Sequence, residues 1–109
     1  MNRVYVDQNG FDYIRYLSME PRFKYVDGNQ SDEQDTDDDG TPLYSVVCLA
    51  KQQGSTKPET ITVKMAFTQP PSIEEFSKVR FAGLSALAYP SGNRAQLSFS
   101  AEKIGKAKE

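Results

Sequence analysis

Five cations and two tyrosines recur at strand-like spacings that would suit a polyanion: Arg22, Lys24, Lys64, Arg80 and Arg94, with Tyr44 and Tyr89. Lys64 falls on the polar side of an alternating run, and Arg80 alternates against Val79 and Phe81. Arg94 opens another such run, and Arg22 and Lys24 alternate with Phe23 and Tyr25. Tyr16, Tyr44 and Tyr89 are rings whose inward direction the pattern does not force. Cations neutralise phosphates, and each base stacked on an exposed ring contributes about 1–3 kcal/mol. The competing account is that the rings fill a core while lysine and arginine keep the surface wet.

Other chemistries find few residues. The chain has no histidine and no tryptophan, so the commonest general base and the commonest metal ligand are missing. Its one cysteine, Cys48, sits in an apolar run with no histidine to activate it, the setting of a small buried hydrophobe. No glycine-rich phosphate loop and no carboxylate pair on regular structure is present, so the reading is non-enzymatic, without cofactor or small-molecule substrate. Asp35, Asp37, Asp39 and Gly40 match the first half of a calcium loop. The twelfth position, where a bidentate glutamate belongs, is Val46. Residues 32–39 are therefore either a cation loop of unusual form or a solvated acidic tip.

The net charge of −2 conceals an asymmetry. Residues 1–41 carry four basic and ten acidic side chains, a balance of −6; residues 42–109 carry nine and five, a balance of +4. An acidic total opposes nucleic-acid binding, because phosphate contacts supply most of the affinity. The split permits a locally basic face beside an acidic loop. The N-terminal residues lack the apolar core of a signal peptide, and no apolar run reaches the roughly 20 residues needed to span a bilayer. These features point to a cytoplasmic protein with no membrane partner.

The elements that must carry these residues read as strands. One spans 13–26, bent or bulged at Pro21, with Val4 to Val6 as a short edge strand before it. Residues 27–41 are polar, acidic and of low complexity, so no packed structure is assigned. Pro42 to Lys51 is a strand, and Glu59 to Phe67 is the cleanest one. There Ile61, Val63, Met65 and Phe67 share one face, and Thr60, Thr62 and Lys64 the other. Ser72 and Glu75 form a capping-box pattern, predicting a short helix through Ile73 to Ser77 with Ile73 and Phe76 packed inward. A strand from Lys78 to Tyr89 is interrupted at Gly83, and a Pro90–Asn93 turn leads into the last strand, Arg94 to Ile104. Ala95, Leu97, Phe99 and Ala101 are expected inside that strand, with Gln96, Ser98 and Ser100 outside. Residues 105–109 read as a frayed tail.

Three strands, a short helix and two strands is the order of the five-stranded OB-fold barrel, so the expected class is all-β with the helix between strands three and four. One domain covers 1–109. The stretch Val79 to Tyr89, followed by Gly92 and by Leu97 to Ile104, resembles the small OB-fold single-stranded-DNA-binding-like proteins of plasmids, conjugative elements and phages. That resemblance implies sequence-tolerant binding of single-stranded DNA during replication or transfer of a mobile element, often as a homodimer. The alternative is a protein-interaction or regulatory module on the same scaffold, with no affinity for nucleic acid.

Overall fold

The computed structural model describes residues 3–91 and 94–107; for residues 3, 89–91 and 94–96 it describes the backbone alone. Ten strands account for most of the chain: β1 (Arg3–Tyr5), β2 (Phe11–Pro21), β3 (Phe23–Val26), β4 (Asn29–Gln34), β5 (Leu43–Gln52), β6 (Glu59–Ala66), β7 (Val79–Ala82), β8 (Ser85–Ser91), β9 (Arg94–Ser100) and β10 (Lys103–Lys106). The fold is all-β. Among the described residues a single 3₁₀ turn, Gln8–Gly10, is capped by the Asp7 carboxylate accepting from the Asn9 amide. No helix of the described residues is long and apolar enough to cross a membrane.

Six strands form one sheet in the order β1-β8-β9-β6-β5-β2. All its pairings are antiparallel except β6 with β9, which run parallel through Val63–Phe99 and Lys64–Ser100. Strands β7 and β10 form a second pair, and β3 and β4 a third. The sheet does not close on itself by continuous pairing. The free edge of β2 instead meets the segment before β7 through an Arg15–Lys78 bridge. There the Tyr16 amide donates to the Ser77 carbonyl at 2.9 Å, and the Phe76 amide to the Tyr16 carbonyl at 2.6 Å.

The alternation of β6 decides where the core lies. Val63 and Met65 are buried, while Thr60 and Thr62 are exposed. Residues directly opposite in a pair share a face. Val63 therefore collects Val46 from β5 and Phe99 from β9 on one inner face. Ile14, Tyr16, Cys48, Ala50, Val79, Phe81 and Leu84 complete the buried cluster. Tyr16, whose direction the sequence leaves open, is thus a core residue. Burial first, and the neighbouring Cys48 thiol second, push its phenol pKa upward.

Burial pushes the Cys48 thiol from 9.0 up to about 12. The folded thiol keeps its proton where the unfolded one has lost it. Between pH 9 and about 12 the unfolded state binds fewer protons, so stability falls as pH rises, by about 1.4 kcal/mol per unit. Denaturant titrations from pH 8 to 10.5 are expected to show this slope in the wild type. Cys48→Ala should flatten it, and equal slopes would mean the thiol is not sequestered.

Four expectations are corrected. No helix follows β6: Ser72 and Glu75 form no capping box, and Glu74 to Ser77 is a single turn with Phe76 at φ 70°. The edge of β2 takes the Phe76 amide that a helix would have used, and the Phe76 ring is left 55% exposed. Residues 29–34 are a strand, because Asp27 (φ 54°) and Gly28 (φ 83°) supply the two left-handed residues of a tight hairpin turn between β3 and β4. Residues 105 and 106 belong to β10, where Lys106 pairs with Val79. Leu97 lies on the inner face but beyond the reach of the opposite wall, so it is 58% exposed. At the interruption near Gly83 (φ 65°) the Glu102 side chain lies where a Cβ would fall, 3.0 Å away, so β7 turns into β8 over a residue without one.

Candidate nucleic-acid interface

The outer face of β5 and β6 is the only place where two of the expected cations converge among the described residues. Arg22 follows β2 at the hinge into the β3–β4 ribbon, anchored by its amide donating to the Leu43 carbonyl at 3.0 Å. Its guanidinium donates to the Ser45 hydroxyl at 3.3 Å. Ser45 stands directly opposite Lys64. Cross-strand neighbours lie about 5 Å apart between Cβ atoms, so Arg22 and Lys64 flank one serine. The Lys64 ammonium has neither a hydrogen bond nor an ion pair among the described residues. The carboxylate nearest in register is Glu20, across Ser45 on the β2 side.

The ribbon supplies the aromatic component. Pro21, Arg22, Phe23, Tyr25, Gln30 and Ser45 line a depression of about 220 Å³ between ribbon and sheet. Tyr25 is 72% exposed and Phe23 half-buried. Tyr25 is the ring that sequence reasoning missed. Its alternation with Lys24 reads as a half-buried barrel strand, whereas Asp27-Gly28 immediately beyond marks a protruding hairpin. Lys24 lies on that ribbon too, but at 3.2 Å it pairs with Glu33. The pair is solvent-exposed, so it contributes little stability while occupying the lysine.

The remaining expected residues lie elsewhere. Tyr44 faces the Met65 side of the sheet and packs against Phe67, ring centroids 5.9 Å apart and tilted by 54°. That half-buried position gives it a packing contact on the opposite side of the sheet from Lys64. Arg80 is exposed on β7, on a different wall from Lys64. Tyr89 and Arg94 have backbone in β8 and β9, paired with Gln96 and Ser91, but their side chains lie outside the described residues.

The acidic loop closes on itself. The Asp37 carboxylate accepts from the Asp39 and Thr41 amides, both at 2.9 Å, and the Asp35 carboxylate from the Thr36 amide at 2.9 Å. Among the described residues no three acidic or sulfur ligands gather as a metal site would require. The calcium-like spacing thus organises an Asx-type turn.

Comparison of the chain with protein-family models, with curated proteins and with solved structures finds no match. The site's own geometry must carry the functional argument. Two cations flank one serine, neither of them in an ion pair among the described residues, and a projecting ring stands near them on the ribbon. Such a face can neutralise one or two phosphates and stack a base.

Proposed function

We propose that this chain is an OB-type barrel that binds single-stranded nucleic acid, without catalysis and without strong sequence preference, across the outer face of β5 and β6. In this reading β2, β5, β6, the bent β7–β8 strand and β9 are the five barrel strands. The β3–β4 ribbon is an insertion between the first two. The parallel β6–β9 pairing and the contact of β2 with the segment before β7 support that assignment. OB folds present the face of their second and third strands, here β5 and β6, to oligonucleotides. Arg22 and Lys64 take phosphates and Tyr25 stacks a base. The observation that carries the reading is the unpaired Lys64 ammonium opposite the Arg22-bonded Ser45. DNA exposed during replication or transfer of a mobile element is the substrate we favour.

Titrating fluorescein-labelled oligo-dT by anisotropy at several salt concentrations tests this. Single-strand binding loses about 0.7 in log K per log salt for each neutralised phosphate, so one or two contacts predict a slope of about −0.7 to −1.4. The absence of binding at low salt and tens of micromolar protein would remove the proposal. A strand-addition interaction module is the second reading, favoured by the exposed Val4 and Tyr5 on the sheet's terminal strand β1. It gains ground if the chain ignores the oligonucleotide yet self-associates on sizing.

A further inference from the structure

A second cationic wall lies around the molecule from Lys64. Arg15 and Lys78 are bridged between β2 and the start of β7, so their side chains share a face. Arg15 alternates with buried Ile14 and Tyr16, and Arg80 with buried Val79 and Phe81, which makes that face the outer one. Lys103 adds to it from β10, opposite Ala82, while its neighbour Ile104 packs against the core. Tyr13 lies beneath the Arg15 guanidinium, 5.4 Å from carbon to ring centroid, and the guanidinium donates to the Phe76 carbonyl at 2.7 Å. Tyr13, Lys78 and Arg80 line one depression together with Asn9 and Asp12.

The cations of this wall are free of ion pairs among the described residues. Lys24 is held by Glu33 and Lys51 by Asp12. The side chains of Lys78, Arg80 and Lys103 have no hydrogen bond or ion pair among the described residues. Three carboxylates border the wall: Asp12, already held by Lys51, shares a depression with Lys78 and Arg80, Glu102 lies over Gly83 beyond Ala82, and Glu74 shares a depression with Lys78. Like charges on neighbouring strands repel, so a face that gathers four cations is less stable than a mixed one unless an anion visits it.

We propose that the β2–β7–β10 wall is a second phosphate track, taking the backbone of the same strand as it leaves the Lys64 face. The inference rests on the reading above. From Lys64 to Arg15 is two strands across and four residues along β5, roughly 16 Å. The outward side chains between them, Val47, Leu49, Thr60 and Thr62, are uncharged. Among the described residues, the one carboxylate near the start of that path is Glu20, across Ser45 on β2. Arg15, already fixed over Tyr13, then Lys78, Arg80 and Lys103 meet the phosphates beyond.

Chain length separates the two surfaces. Labelled oligo-dT of about 4 and about 16 nucleotides, the ends of the OB site-size range, are titrated against wild type, Lys64→Glu and the double variant Arg80→Glu/Lys103→Glu. Both reversed positions are exposed, and a thermal melt of each variant shows that it folds. The double variant is expected to bind the long oligonucleotide at least about tenfold more weakly, with its salt slope shallower by about 1.4, and the short one within about twofold of wild type. Lys64→Glu should weaken both. Unchanged affinity of the double variant for the long oligonucleotide overturns the track while leaving the Lys64 site intact. Equal losses at both lengths overturn it too, since they report a general field. If instead the double variant loses binding and Lys64→Glu does not, the wall stands alone as the binding surface and the Lys64 reading fails.

Discussion

Val63→Asp is expected to abolish cooperative folding at neutral pH, while Thr62→Asp, one residue away, changes stability by no more than about 0.5 kcal/mol. The difference is one of face alone. Val63 is fully buried and is the inward-facing position where β6 pairs with both neighbours, Val46 on the antiparallel side and Phe99 on the parallel side. A carboxylate there would lie between Val46 and Phe99 in the buried cluster, without a cation to pair with. Several kcal/mol are lost when an ionised group is buried without a partner, and domains of this size are stable by only about 5–15 kcal/mol. Thr62 is exposed on the outer face opposite Val47, where an aspartate stays hydrated. Circular dichroism on heating, with urea titration of whatever folds, reads both variants. A cooperative Val63→Asp transition near the wild-type temperature would show that β6 does not present this face to a packed core. Leu84→Ala, beside the Gly83 turn, should lose about 2–5 kcal/mol and remain folded.

That contrast also marks what could be read from residues alone. Alternation of Ile61, Val63 and Met65 against Thr60, Thr62 and Lys64 gives a strand and its faces, because a period of two has no helical counterpart. The interruption at Gly83 is legible for the same reason, since a residue without Cβ marks where a strand can turn. Alternation gives direction but not depth. Leu97 shares the inner face yet stands exposed, because the walls diverge into a groove it lines with Phe11, Ile61 and Phe99. The Ser72–Glu75 signal was overruled from a distance: the Phe76 amide belongs to the edge of β2, sixty residues earlier in the chain. In the 27–41 stretch, acidic composition masked a local cue, Asp27-Gly28, that two left-handed residues turn into a hairpin. The candidate site was the least legible part. Lys64 was found as an outward cation, but its pairing with Ser45 depends on β5–β6 register, and the reach of Arg22 to that serine depends on the hinge after Pro21. Neither is encoded within either strand.

Lys64→Glu is expected to weaken oligo-dT binding by about 10- to 100-fold, about 1.4–2.8 kcal/mol, with little change in melting temperature. Stability is spared because Lys64 has no partner to lose among the described residues and its head lies on the outer face. Affinity suffers twice. One phosphate contact disappears, and a new carboxylate joins Glu20 on the far side of Ser45, so two anions would flank the serine that Arg22 bonds. The salt slope should become shallower by about 0.7, the contribution of one phosphate to single-strand binding. Tyr25→Ala provides the contrast within the same site. Loss of a stacking ring costs about 1–3 kcal/mol per base, and because stacking releases no counter-ions, the slope should stay at its wild-type value. A cation variant that lowers affinity without altering the slope, or a ring variant that flattens it, would mean the two residues do not divide the work between phosphate and base. If both bind like wild type while the oligonucleotide still binds, the strand lies on another surface, and the pairing of Arg22 and Lys64 around Ser45 is only a feature of the sheet's polar exterior.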